Sequence, residues 1–356
     1  MRRLLIVQQG RDAVAGWTLE ALLGERKALR SSLDLEVELR QVDELERVEN
    51  TVASERFDAL FLATHWKTDP ERVVELTQRL RPSVQRFAYL DTFDPTSSPV
   101  FGVLPFVDLY LKKQLLKDRE AYANPVRGGY VFADWCAESG LDLAEWHFGS
   151  LADPAHLEKL ELSWNLGTAP HLRRRWQLSN LWPRRSWRRR GVDVHYRVSL
   201  GDASAGDWYT WHRQAMHEAA LGLEGLKVVA EAGTGKRITA AEFRRELGRS
   251  RIVLSPMGYG EVTDRDYEVV LQGAVLFKPD VSHLETFPDI YRKEETYVPL
   301  RWDLSDTAER CYQVLDDPER AQAMAAAARS IYSKWFREGG IIARMRHILE
   351  RLDLAP

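Results

Sequence analysis

The chain has 356 residues and carries 50 lysines and arginines against 53 aspartates and glutamates, a formal net charge of −3. That balance speaks against a surface built throughout for nucleic acid, so nucleic acid is an unlikely partner. With 44% apolar and 10% aromatic residues the chain can bury sizeable cores, and its length favours two α/β domains over one.

The start, Met1-Arg2-Arg3-Leu4-Leu5-Ile6-Val7, turns polar too early for a signal peptide and reads as a buried first strand. No apolar run reaches the roughly 20 residues of a membrane-crossing helix. Cys136 and Cys311 lie far apart, outside any CxxC or metal-ligand spacing, so no disulfide framework or zinc site is expected. The expected location is the cytoplasm, with room for peripheral association at the inner face of the membrane.

Leu4–Val7 is followed by a helical pattern over Thr18–Arg30, a strand at Leu35–Leu39 and a helix around Asp43–Ala53. Ala59–Thr64 is a continuous apolar run of the kind buried on both faces of a parallel sheet. Pro70–Leu80 reads as a helix, with Asp69 as N-cap and Pro70 at its first position, and Phe87–Leu90 as a strand ending at Asp91. A helix is expected over Val107–Tyr122. Strand and helix alternation implies a mostly parallel, doubly wound sheet. Ligand residues are sought in the loops after its strands, which makes His65, Asp91 and Asp94 the candidates for a catalytic base. An aspartate in such a place can equally be a turn or cap residue.

From His171 to Arg190 lie Arg173, Arg174, Arg175, Arg184, Arg185, Arg188, Arg189 and Arg190, interleaved with Trp176, Trp182 and Trp187. Such a stretch is either an amphipathic connector between domains or a docking surface for an anionic partner. A second alternating series follows, with strands at Val192–Val198, Lys227–Ala230, Ile252–Ser255, Ala274–Phe277 and Tyr297–Leu300. Helices at Pro318–Arg329 and Ile341–Leu352 close the chain.

The most informative segment runs from Ser250 to Gly273 and reads as strand, glycine loop and helix. Gly258 and Gly260 let the backbone approach a ligand, Thr263 or Asp264 caps the helix, and Gly273 ends it. A helix start beside such a loop suits phosphate. Arg265 and Glu268 share one helix face, where they either divide a nucleotide sugar between them or form an ordinary intrahelical ion pair. The loop Gly201–Asp207 would face the same crevice or lie plainly on the surface. Thr234-Gly235-Lys236-Arg237 lacks the final Ser or Thr of a P-loop, so an ATPase is not expected.

With Ala274–Asp280, this segment resembles the C-terminal donor-binding domain of GT-B glycosyltransferases. It is closest to the group-1-like bacterial enzymes that include the spore-coat maturation glycosyltransferases. The matching residues are Arg265, Glu268, Gly273 and Ala274, and the resemblance covers about Val192 to Arg337. Glu261 and Glu268 are seven apart, where many retaining members have two glutamates eight apart.

The resemblance implies two Rossmann-like α/β domains facing each other across a cleft. Residues 1–190 would form the acceptor side and 191–337 the nucleotide-sugar side, with a final helix in 338–356 crossing back to the first domain. Gly258, Tyr259, Gly260, Glu261, Thr263, Arg265, Glu268 and Lys278 would hold the donor. The implied reaction is metal-independent transfer of a sugar from a nucleotide donor to a glycan, lipid-linked or other hydroxyl acceptor, for which the 171–190 segment could provide an anionic docking surface. No permanently bound cofactor is expected. The alternatives are a nucleotide-sugar epimerase, a two-lobed sugar or nucleotide binding protein and, last, a nucleic-acid binder.

Overall fold

The computed structural model describes residues 1–11, 13–124, 130–144, 149–180, 185–201, 206–233 and 238–354. The first sheet contains β1 (Arg2–Gln9), β2 (Leu35–Val42), β3 (Ala59–Ala63), β4 (Phe87–Asp91) and β5 (Leu109–Lys112), then, after a short β6 (Gln114–Leu116), β7 (Leu160–Leu162). Its order is β2-β1-β3-β4-β5-β7 and every pairing is parallel. The second sheet holds β8 (Val192–Val198), β9 (Val228–Ala232), β10 (Ser250–Leu254), β11 (Val275–Pro279) and, beyond β12 (Leu284–Thr286), β13 (Val298–Leu300). It too is parallel throughout, in the order β13-β11-β10-β8-β9. Each sheet therefore reverses direction beside its own first strand. In doubly wound folds, ligands bind at that place, beyond the carboxyl ends of the strands.

Burial explains the strand runs. All five residues of β3, β4 and β11 are buried, as expected of strands covered on both faces. The helix Pro70–Leu80 begins where its cap lies, with the Asp69 carboxylate accepting from the Glu71 amide at 2.9 Å.

Two expectations are corrected. The pattern over Thr18–Arg30 divides into the helices Ala13–Leu23 and Arg26–Leu33. Val107–Tyr122 is not a helix but β5, β6 and a 3-10 turn at Arg119–Ala123. Leu109–Lys112 is buried at every position because it lies between β4 and β7, and a continuous apolar run of that length fits a central strand better than an amphipathic helix.

Three of the contacts that join the halves involve separate elements. β6 and β12 form a two-stranded antiparallel ladder with Leu115 opposite Glu285. Helix Pro318–Arg337 buries Tyr332 at 0% exposure, with its hydroxyl donating to the carbonyl of Gly167. Finally, helix Gly340–Arg351 lays Ile341, Met345, Ile348 and Leu349 on a core shared with Leu4, Ile6, Leu22 and Phe61. Arg344 Nε donates to the Leu162 carbonyl at 2.6 Å beneath it.

Candidate active site

A cavity of about 1110 Å³ opens at the switch point of the second sheet. Its floor comes from Arg197–Gly201 at the end of β8 and Glu231–Gly233 at the end of β9. Ile238, Ala240 and Phe243 form an apolar wall, and Asp264, Arg265 and Glu268 line the side given by the helix Asp264–Gln272. Trp17, His171 and Arg175 of the first half complete the lining.

The lining helix is held by a buried polar cluster. Thr263 is the extended N-cap, and Asp266, three residues on, accepts from its amide at 3.3 Å. The same carboxylate accepts from the hydroxyls of Ser255 (2.6 Å) and Tyr291 (2.8 Å) and lies 3.0 Å from Lys278 Nζ. Gly273, at φ 68°, closes the helix in the left-handed conformation that glycine adopts without penalty. The first turn, and with it Arg265, is thereby set at the cavity edge.

Arg265 has no ion pair or side-chain hydrogen bond among the described residues. Burial lowers its pKa, and the nearby charges of Asp266 and Asp264 oppose that shift. Arg213, from the helix Asp207–Leu221, donates to the Ser199 carbonyl at 2.7 Å and lies over the Tyr209 ring at 4.3 Å. One of its terminal nitrogens would be 3.5 Å from a Cβ placed on Gly258. Two guanidiniums and a helix start thus meet at one edge, an arrangement suited to a diphosphate. Farther along, Arg197 forms a double contact with Glu246 at 3.0 and 3.1 Å, and His195 Nε2 lies 2.9 Å from the same carboxylate.

The expected donor residues separate into groups. Arg265 and Glu268 both face the cavity, but they do not pair with each other: Glu268, 8% exposed, pairs with Arg175. Tyr259, Gly260 and Glu261 face the other domain. Glu261 is buried and accepts from the Thr96 amide at 2.9 Å and from its hydroxyl, and burial raises its pKa. Tyr259 meets Phe93 edge-on at 5.5 Å and Trp66 at 6.0 Å, while Tyr130 donates to its carbonyl at 2.7 Å. A Cβ on Gly260 would lie 2.5 Å from the Asp94 carbonyl, so only glycine fits there. Lys278 lies fully buried against Asp266, behind the helix start and outside the cavity lining.

The expected bases also find other work. Asp91, 4% exposed, accepts from Lys112 Nζ at 2.9 Å, Tyr110 Oη at 2.8 Å and the Phe93 amide at 2.8 Å. Both of its oxygens are thus engaged. Asp94 pairs with Lys113 at 2.7 Å. His65 stands at the end of β3, where its Nδ1 accepts from the Lys67 amide at 3.1 Å. A neutral imidazole accepting at Nδ1 carries its proton on Nε2, which leaves Nε2 as a hydrogen-bond donor. Gly10, at the end of β1, is required beside it, since a Cβ there would be 2.7 Å from that of His65.

The 171–190 segment is mainly a strut. Arg173 pairs with Glu25, Trp176 stacks on Phe336 at 5.0 Å, and Arg190 donates to the carbonyls of Ser250 (2.6 Å) and Gln272 (2.7 Å). Arg174, Arg185, Arg188 and Arg189 are exposed. Trp182 and Arg184 lie outside the described residues, as do 202–205 of the Gly201–Asp207 loop and 234–237. Sequence reasoning passed over Arg213, Trp17, Glu231 and Phe243. Arg213 carried a signal, since it lies on the helix that follows the flagged loop after β8.

Residues 187–350 match a family model described as glycosyl transferase-like. No curated protein sequence matches the chain. Similar solved structures include a UDP-forming α,α-trehalose-phosphate synthase from Burkholderia xenovorans, at 11% identity over 99% of each chain with a TM-score of 0.55. A sucrose-phosphate synthase from Thermosynechococcus elongatus matches at 11% identity over 99% of each chain with a TM-score of 0.53. A trehalose-6-phosphate structure from E. coli with UDP-2-fluoro glucose bound matches at 9% identity over 98% of each chain, TM-score 0.51. At these identities the likeness is one of fold. Residues 187–350 are thus similar to a glycosyl transferase-like domain, and the chain as a whole has the two-domain GT-B fold of these structures.

Proposed function

We propose that the enzyme takes a sugar from a nucleoside-diphosphate donor seated in the 1110 Å³ cavity and passes it to a hydroxyl of a glycan or lipid-linked acceptor entering from the first domain. The observation that carries this reading is Arg265: a guanidinium without an ion-pair partner among the described residues, at a helix start, with Arg213 bonded to the carbonyl of Ser199, which lines the same cavity. The pair neutralises the departing diphosphate, which is the charge that develops as the glycosidic bond breaks. Two cations in place for that task support a reaction without a metal.

Glu268, oriented by Arg175, accepts from the ribose hydroxyls, and Phe243 with Ile238 flanks the base. His65 donates from Nε2 to a sugar hydroxyl at the first domain's strand ends. The sugar-bearing end of the donor then faces the first domain, where Trp66, Phe93 and Tyr259 keep water from the join. The Arg265-x-x-Glu268 pattern with Gly273-Ala274 supports kinship with the spore-coat maturation enzymes. Two free, buried cysteines suit a reducing compartment such as the cytoplasm.

Calorimetric titration with UDP, GDP, CMP, dTDP and ADP tests the reading. One of them binds, and Arg265→Ala weakens it by roughly 10- to 100-fold, the loss expected for one or two hydrogen bonds to a charged group. The corresponding nucleoside, having no phosphate, loses nothing. Failure of all five to bind sinks the proposal.

A further inference from the structure

Three partly exposed tryptophans from separate elements meet on one surface. Trp135, on the helix Val131–Glu138, lies 5.7 Å from Trp211 of the helix Asp207–Leu221 and 6.1 Å from Trp302, which follows β13. Phe132 supports them from below, edge-on to Trp302 at 5.9 Å. The ridge divides two open depressions. One, of about 490 Å³, has Trp135 and Trp302 on its wall with Arg301 and Asp303 at its rim. The other, of about 330 Å³, has Trp211 beside Asp207, Thr210, Gln214 and Glu218.

This surface meets the donor cavity only at Leu200, which borders both the cavity and the depression beside Trp211. Trp211 and Arg213 are two residues apart on one helix, about 200° around its axis. Arg213 turns to Ser199 and the cavity, while Trp211 faces the far side, a helix diameter of about 10 Å away.

We propose that the ridge is a second binding site, for a neutral oligosaccharide chain that lies across it. A sugar ring has an apolar C–H face and a polar edge of hydroxyls, and the ridge offers a counterpart to each. The indole faces take the C–H surfaces. The indole N–H groups of Trp135 and Trp211 have no hydrogen-bond partner among the described residues and are available to hydroxyl oxygens. Asp303 and Asp207, both exposed, accept from hydroxyls along the rim. These carboxylates, with Glu218 against Arg301, repel polyanions, which sets a neutral glycan apart from a nucleic acid or a uronate polymer. Two depressions on either side of a ridge suit a chain of several sugars. The site stands whether or not the donor cavity binds a nucleotide.

The full-length protein is run on native gels containing neutral polysaccharides (a β-glucan, amylose, galactomannan and glycol chitin) and titrated with cellohexaose, maltohexaose, chitohexaose and mannohexaose. At least one neutral glycan retards and binds it. Trp135→Ala and Trp302→Ala each weaken that binding tenfold or more, and Asp303→Asn by severalfold. Should Trp135→Ala melt early, Trp211→Ala and Asp303→Asn, both on exposed faces, carry the comparison. Absence of binding to every neutral glycan overturns the proposal, as does binding that the variants leave unchanged. Retardation by heparin alone, or self-association in the ultracentrifuge that Trp135→Ala abolishes, overturns it as well.

Discussion

Lys278→Met separates two roles for a residue that sequence would assign to the donor. Lys278 and Asp266 are both 0% exposed and 3.0 Å apart. Burial lowers the pKa of Lys278, and the Asp266 charge opposes that shift. Methionine fills similar volume but leaves the carboxylate buried with two hydroxyl donors and an amide and no cation. Removing one member of a buried pair costs about 3–5 kcal/mol. At roughly 2–4 °C per kcal/mol for a chain of this class, the melting temperature falls by about 6–20 °C. Asp266→Asn combined with Lys278→Met removes both charges and retains the hydroxyl contacts, so at least half of the loss returns. Because Lys278 does not line the cavity, nucleotide affinity measured well below the melting temperature stays within about threefold. Scanning calorimetry and titration on the three proteins decide the matter. A Lys278→Met protein that melts like wild type but binds nucleotide tenfold more weakly would refute the structural role.

Two further outcomes follow from the same coordinates. His212 is 1% exposed, and burial, followed by the charges of Lys278 and Arg213, pushes its pKa down to about 3 from 6.5. The unfolded chain thus takes up a proton that the folded one refuses, and below pH 6.5 the fold loses about 1.4 kcal/mol per pH unit from this group. Urea unfolding at pH 6.5 and 4.5 should show wild type losing more than His212→Phe by about 2–3 kcal/mol, and parallel losses would contradict the assignment. Gly260→Ala puts a Cβ within 2.5 Å of the Asp94 backbone, so the domains must part locally at a cost of about 1–3 kcal/mol. Faster hydrogen exchange at 93–96 and 259–261 checks this, and an unchanged exchange pattern argues against a tight join.

What was legible in the sequence was whatever local pattern dictates. Ala59–Ala63 and Val275–Phe277 announce buried parallel strands because both their faces are covered. Asp69 with Pro70, and Thr263 with Gly273, mark helix ends by their own chemistry. The helix bearing Arg265 and Glu268 at the candidate site could therefore be drawn from sequence. Partner choice could not. Asp91 meets Lys112 one strand over, Lys278 meets Asp266 across a sheet–helix contact, and Glu268 meets Arg175 from the connector. Each carboxylate looked equally available until the strand order fixed its neighbours. The tryptophan ridge was illegible for the same reason, since its members come from three elements.

The closing helix has a consequence for how the protein is made. Its Ile341, Met345, Ile348 and Leu349 cover apolar side chains of β1 and β3, which leave the ribosome well before them. Leu4, Ile6 and Phe61 therefore wait for their cover until the whole second sheet and the helix after it have been made. Neither half can be excised cleanly. A fragment ending before Gly340 keeps both sheets but leaves a sticky apolar face on one of them, and in the cell that face is work for a chaperone.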